Sequence, residues 1–308
     1  LLKLLAKNGK CCEYPVHQTA ENGNHRLLEF FFSTSYDINS HDSRGRTVFH
    51  SACANGRTAQ LLVEESTKLG IDLNAKDNHG DTPFHVACGN GSTETVQLFI
   101  ELSTKLGIDL DATNHYGDTP FYSACESGRT ETVKLLIDLS TKLGIDLNAR
   151  DHDGNTPFHI ACGNSRTETV KLLLDLSTKH AIDLNAADIN GETPFHWACG
   201  SGTIETVKLL IDLSTKHGID INARDHYGDT PFHKACDESR RIDTVKMLLE
   251  NWNEFAIDIK AQNHEGKTAL DLLNDRLGRI TRNVRLIDKL REVKKCLKKN
   301  IPRSTTLN

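Results

Sequence analysis

Apolar and polar positions recur along this chain in a fixed order: a short stretch crowded with small and apolar residues, a longer stretch with apolar residues three and four apart, then a polar run containing glycine. In the longer stretch that starts at Thr130, residues Val133, Leu136, Leu139 and Leu143 fall on one side of a helix. Lys134 and Asp138 lie one turn apart on its wet side, Thr130 offers a capping hydroxyl, and Gly144 stops the helix. The shorter stretch opens with Thr-Pro, a hydroxyl N-cap followed by proline at the first helical position, where its missing N–H does no harm. It predicts a helix of about nine residues that ends at turn-prone clusters such as Gly89-Asn90-Gly91 and is too short to stand without neighbours. The polar run, IDLNARDHDGN in one copy, is extended and turn-rich and predicts a hairpin finger.

The order is a repeat. GDTPFHVAC at Gly80 returns as GDTPFYSAC at Gly117, GNTPFHIAC at Gly154, GETPFHWAC at Gly191 and GDTPFHKAC at Gly228, with Thr82, Thr119, Thr156, Thr193 and Thr230 each 37 residues apart. Weaker copies at Gly45, at Gly266 and at Tyr14 bring the number to eight, the outer ones degraded. TPFHxAC, a glycine turn, ETVKLLID and then IDLNARDxxG resembles the ankyrin repeat over residues 14 to about 299. The resemblance implies an all-α solenoid of stacked helix-turn-helix units with β-hairpin fingers. The departure is the period: ankyrin repeats run near 33 residues, and the four extra here sit in LSTK-LG, about one helical turn at the end of the second helix. The expected division is 1–13 as the end of a preceding repeat or a cap, 14–265 as about seven repeats, 266–299 as a capping repeat with a basic helix, and 300–308 as a disordered tail.

Composition narrows the class without adding chemistry. In 308 residues, 37 Lys+Arg stand against 42 Asp+Glu for a net charge of −5, and no apolar run approaches the roughly 18 residues that a membrane-spanning helix needs. Residues Arg279 to Lys299 hold nine basic side chains against two acidic ones, a surplus of +7 that leaves −12 for the remainder. Leu286, Leu290, Val293 and Leu297 run through that stretch as a stripe, as in a terminal capping helix; contact with nucleic acid or an anionic membrane surface is the weaker alternative, since aromatic residues for stacking are absent. Nine cysteines without a secretion signal point to reduced thiols and a cytoplasmic or nuclear setting. The only methionine is Met247, and LLKLLAKNG at the start resembles the second helix of an earlier repeat, so a longer parent chain is expected.

His-x-x-Cys recurs at His50/Cys53, His85/Cys88, His159/Cys162, His196/Cys199 and His233/Cys236, and three residues apart on a helix is one face. A nucleophile pair or zinc half-site needs that proximity, but it is made once. Five equivalent copies, with Tyr122 replacing the histidine in a sixth, mark a frame in which cysteine is a small buried hydrophobe. The resemblance implies that His85 bonds the cap threonine Thr82 and neighbouring backbone. A second histidine series, His115, His152, His226 and His264 with His79 displaced by one, falls at the finger tips, too widely spaced for one zinc, and is read as polar turn residues that tolerate unusual backbone angles. Asn74, Asn148, Asn185 and Asn222 resemble ankyrin sites taken by asparaginyl hydroxylases, although Ser140 stands where a leucine is expected upstream of Asn148, and Asp111 breaks the series.

Phosphate-binding glycine loops and the HExxH and GxSxG motifs are absent, which leaves no catalytic, metal or cofactor site to assign. The expectation is a monomeric, non-enzymatic protein-interaction module, a scaffold, adaptor or inhibitor without a small-molecule substrate, or alternatively a regulatory or assembly segment of a larger channel, kinase or transcription regulator. Its contact residues are expected where the frame varies, on the concave face and finger tips: Tyr116, Asp118, His152, Asp153, Ile189, Trp197 and Tyr227. Trp197 shares a slot with Ser51, Val86, Ser123, Ile160 and Lys234, so it either covers the seam between repeats or anchors a partner. Asp81, Asp118, Glu192 and Asp229 precede the cap threonines and favour a partner with a basic patch.

Overall fold

The computed structural model describes residues 14–34, 36–237 and 242–279; the expectations for 1–13, for the basic stretch from 280 and for the tail lie outside them. The chain forms two compact units that meet in sequence between His152 and Asp153. The first unit holds α1 (Pro15–Glu21), α2 (His25–Phe32), α3 (Val48–Ala52), α4 (Gly56–Leu69), α5 (Pro83–Asn90), α6 (Thr93–Leu106), α7 (Pro120–Ser127) and α8 (Thr130–Leu143). The second holds α9 (Pro157–Gly163), α10 (Thr167–His180), α11 (Pro194–Ser201), α12 (Ile204–Asp212), α13 (Ser214–His217), α14 (Pro231–Asp237), α15 (Ile242–Glu250) and α16 (Ala269–Arg279). Each unit is a stack of helix pairs in which first helices lie against first helices, α5 on α7 in one and α9 on α11 on α14 on α16 in the other.

The Thr-Pro signal sets the starts: Thr82, Thr119, Thr156 and Thr193 are extended N-caps with proline as the first helical residue. The long second helices are 14 residues each in α4, α6, α8 and α10, which places the inserted turn at their ends. Arg129 rather than Thr130 is the N-cap of α8, and Thr130 is its first helical residue. The buried side of α8 is Val133, Leu136, Ile137 and Ser140, while Leu143 is half-exposed. Ser140 tolerates burial because its hydroxyl donates to the Ile137 carbonyl at 2.8 Å. The core is aromatic where pairs meet: Phe49 of α3 and Phe84 of α5 each lie 5.3 Å from Phe99 of α6. Cys53, Cys88, Cys125, Cys162, Cys199 and Cys236 are all free and buried, and burial pushes the thiols of Cys53 and Cys88 well up.

The expected β-hairpin fingers are not strands. Among the described residues only isolated bridges occur, His41 to Thr47 and Gln262 to Thr268. Each finger is a tight turn: Asp77 N–H donates to the Asp81 carbonyl at 3.0 Å and Gly80 N–H to the Asp77 carbonyl at 2.9 Å. The Asp77 side chain takes the N–H groups of His79 and Asp81. An aspartate that organises its own turn leaves too little extended backbone for a ladder.

The asparagines of the IDLNA segments are staples. Asn74 donates through Nδ2 to the Gly107 carbonyl (2.8 Å) and accepts at Oδ1 from Asp109 N–H (3.0 Å). Asn185 and Asn222 bond the next repeat in the same way. Asp111 has the asparagine's place but not its donor. Its carboxylate accepts from Asp146 N–H, Oδ1 is buried with no hydrogen-bond partner, and burial, with Asp146 and Asp109 adding repulsion, raises its pKa. A raised carboxylate pKa contributes stability below the unfolded value and loses it as pH rises. Asp111→Asn is therefore expected to stabilise the chain at pH 7 by about 1 kcal/mol, one hydrogen bond net. A urea midpoint unchanged or lowered at pH 7 would exclude the missing donor as the reason.

Candidate partner face of the fingers and first helices

The histidine of the Thr-Pro-Phe-His frame does three jobs. In α5, Thr82 N–H donates to His85 Nδ1 at 3.1 Å, the Thr82 hydroxyl lies 2.9 Å from the same nitrogen, and His85 Nε2 lies 3.0 Å from the Asp118 carbonyl of the next repeat. A backbone N–H can only donate, so Nδ1 is the acceptor and Nε2 carries the hydrogen. His50, His196 and His233 repeat the geometry toward Asp81, Asp229 and Lys267. Tyr122 stays buried at the same position, its hydroxyl donating to Asp151 Oδ2 at 3.2 Å. The family-implied role of His85 is thus present, and the bond to the following repeat is added to it.

Above this frame the fingers are joined one to the next by single backbone bonds, such as His115 N–H to the His79 carbonyl, His152 N–H to Tyr116 and His226 N–H to Asn190. The tip histidines are not at unusual backbone angles; the glycines behind them are. Gly80, Gly117, Gly191 and Gly228 have φ between +78° and +89°, and a Cβ on each would meet His115, His152, His226 and His264 respectively within 2.8 Å. Those histidines lie across the bare glycines, an arrangement that holds the fingers in register.

The structure divides the seven expected contact residues between the units. On the first, Tyr116 is 58% exposed with its ring stacked on His79 (6.3 Å), Asp118 is half-buried, and His152 is exposed. On the second, Asp153 is exposed, Ile189 is 58% and Tyr227 61% exposed, and Trp197 is half-buried. Trp197 covers the seam. Its Nε1–H donates to Asp188 Oδ2 at 3.2 Å, its ring stands edge-on to His159 at 5.9 Å, and a Cβ at Gly163 would meet its Cε3 at 2.8 Å.

Lys234 was missed by the sequence reading, although it is the one charged occupant of its slot. Its Nζ lies 2.5 Å from Glu192 Oε1, 3.2 Å from Asp225 Oδ2 and 6.0 Å from the Tyr227 ring centroid. Burial alone would lower its pKa, but the two carboxylates outweigh that and raise it. Glu192, His196, Trp197, Gly200, Ser201 and Lys234 line an open cleft of about 250 Å³.

This repeated cap and finger arrangement has a counterpart in known proteins. The model for ankyrin repeats matches three times, over residues 16–114, 100–188 and 176–263. The chain belongs to the ankyrin-repeat family. Among solved structures it is similar to the ankyrin repeat domain of Bcl-3, described as a unique member of the IkappaB protein family, at 27% identity and a TM-score of 0.59, covering 81% of this chain and 100% of that one. The human ASB11 ankyrin repeat domain shares the fold at 23% identity and a TM-score of 0.57, over 76% of this chain and 96% of that one. A search of curated proteins finds no match. An ankyrin-repeat domain is generally a protein–protein interaction module and typically non-catalytic. Among the described residues of this ankyrin domain, no three His, Cys, Asp or Glu side chains come together as metal ligands, and no helix is long and apolar enough to cross a membrane.

Proposed function

We propose that this ankyrin domain is a scaffold, adaptor or inhibitor that holds a protein partner with its finger tips and the exposed side of its first helices. Tyr116, Asp118 and His152 contribute from the first unit, and Asp153, Ile189, Trp197 and Tyr227 from the second. The observation that carries the reading is the exposure of Tyr116, Ile189 and Tyr227 on turns whose backbone is already bonded from finger to finger. Exposed aromatic and apolar side chains on a rigid support anchor interfaces at little entropic cost. The carboxylates beside them that pair with no lysine or arginine among the described residues, Asp81 and Asp118 on the first unit and Asp229 on the second, favour a partner with a basic patch, whereas Glu192 is already paired with Lys234.

The test is affinity capture with the whole chain, followed by titration of the captured partner. Tyr116→Ala and Tyr227→Ala are expected to weaken binding by about 1–2 kcal/mol each while the melting temperature holds, because neither ring fills the core. Association is expected to slow as salt rises. Trp197→Ala is the less clean variant, since its indole also packs on Gly163 and bonds Asp188. A partner that binds both tyrosine variants as it binds the parent would remove the fingers from the interface.

A further inference from the structure

We infer that the cleft beside Trp197 on the second unit is a seat for one aromatic side chain of the partner, laid on Gly200 as the chain's own indole is laid on Gly163. The inference rests on the partner-face reading above and gives it a chemistry. Gly163 and Gly200 hold the same place in consecutive repeats, 37 residues apart, and so do Trp197 and Lys234. At Gly163 the structure shows what fills the space above a bare first helix: the Trp197 ring comes so close that a Cβ would stand 2.8 Å from its Cε3, and the glycine is buried. Gly200 is half-exposed instead. Lys234, which takes Trp197's slot over it, carries its Nζ away to Glu192 at 2.5 Å and Asp225 at 3.2 Å. What remains is the open cleft of about 250 Å³ lined by Trp197, Gly200 and Lys234.

The backbone does not require glycine at 200. The residue lies in the last turn of α11 without a positive φ, and the same place is Glu126 in α7 and Asp237 in α14. A cleft of about 250 Å³ is smaller than the roughly 300–1,000 Å³ of small-molecule pockets, which suits it to a single side chain. A flat ring gains most there. The Trp197 indole offers it an aromatic neighbour, and the glycine floor has no Cβ to hold it off. Lys234 offers an ammonium to its π face, as it already does to Tyr227, whose ring centroid lies 6.0 Å from Nζ. A charged side chain has less to gain, because Glu192 and Lys234 already satisfy each other. An aliphatic one forgoes both ring contacts. Through Lys234 the cleft is continuous with Tyr227, 61% exposed on its finger, so a ring seated on Gly200 and an anchor at Tyr227 belong to one contact.

The probe is an acetylated Gly-Lys-Trp-Lys-Gly-amide peptide, titrated into the isotope-labelled full chain at about 0.15 M salt while backbone and indole N–H resonances are followed by NMR. Saturable shifts at the Gly200 amide and the Trp197 Nε1–H are expected, with about tenfold weaker binding when leucine replaces the peptide's tryptophan. Gly200→Ala is expected to weaken the tryptophan peptide about tenfold by raising the floor of the seat. It should keep or raise the melting temperature, since alanine is the better helix residue. Gly89→Ala, the same change in α5, meets nothing nearer than 3.7 Å and should bind as the parent does. Equal binding of the leucine peptide, equal binding by Gly200→Ala, or no saturable shift at Gly200 overturns the seat. With a captured partner the two readings separate: loss in Tyr116→Ala and Tyr227→Ala but not in Gly200→Ala keeps the face and rejects the seat, whereas indifference to all three rejects the face.

Discussion

Gly117→Ala is expected to destabilise the chain by about 3 kcal/mol or more, a large fraction of what holds a repeat array together. Two costs combine. At φ +89° an L-side chain is strained by about 1–2 kcal/mol. The new Cβ would also stand 2.8 Å from the His152 backbone nitrogen and 3.0 Å from the Asp151 carbonyl carbon, so the neighbouring finger would have to move. The chain supplies its own control. Helix-end glycines such as Gly144 share the positive φ but have nothing within 4 Å of the Cβ position. At the corresponding positions of other repeats the sequence carries Ala181 (φ 52°), at a helix end, and Ala256 (φ 53°), in a turn. Gly144→Ala should accordingly cost about 1 kcal/mol. Thermal melts in which the two variants fall together would show that backbone strain alone, and not the approach of the next finger, requires the finger glycines.

Acid is expected to loosen the stack: between pH 7.5 and 5 the melting temperature should fall by roughly 10 °C, from about 1 kcal/mol for each of four histidines. His17, His50, His85 and His196 have pKa values lowered from the ordinary 6.5, in each case chiefly by burial. A lowered histidine pKa means that the unfolded chain binds the proton first. The stability is whole above pH 6.5 and is lost as pH falls toward the folded values. The cap geometry gives the structural reason, since protonating Nδ1 of His85 puts a hydrogen where the Thr82 N–H already points. Asp111 and Asp118, with raised pKa values, act in the opposite sense, losing stability as pH rises above the usual carboxylate value of 3.8. Melts that stay level across that range, or ring nitrogens of His85 that titrate near 6.5 in the native state, would contradict the neutral cap.

What the chain wrote locally, it determined alone. Thr-Pro starts a helix because the hydroxyl and the ring act within one turn, and glycine ends one because only backbone conformation is at stake. The spacing of Val133 and Leu136, the identity of six equivalent cysteines and the ankyrin frame are likewise legible in one repeat or its copies, and all are found in the structure. The tertiary structure decided everything whose partner lies a repeat away. His85 reaching the Asp118 carbonyl, Asn74 bridging to Gly107 and Asp109, and histidine rings laid over finger glycines join residues 33 to 36 positions apart. A repeat read singly shows no such pairing. The fingers became bonded turns rather than strands because an aspartate or asparagine side chain takes N–H groups within the turn, as Asp77 and Asn114 do. Lys234 and Trp197 occupy one slot in the sequence pattern, yet one closes an ion-paired seat and the other covers a seam. The same position meets different neighbours in successive repeats, and only packing reveals which charges are compensated and which are left facing outward.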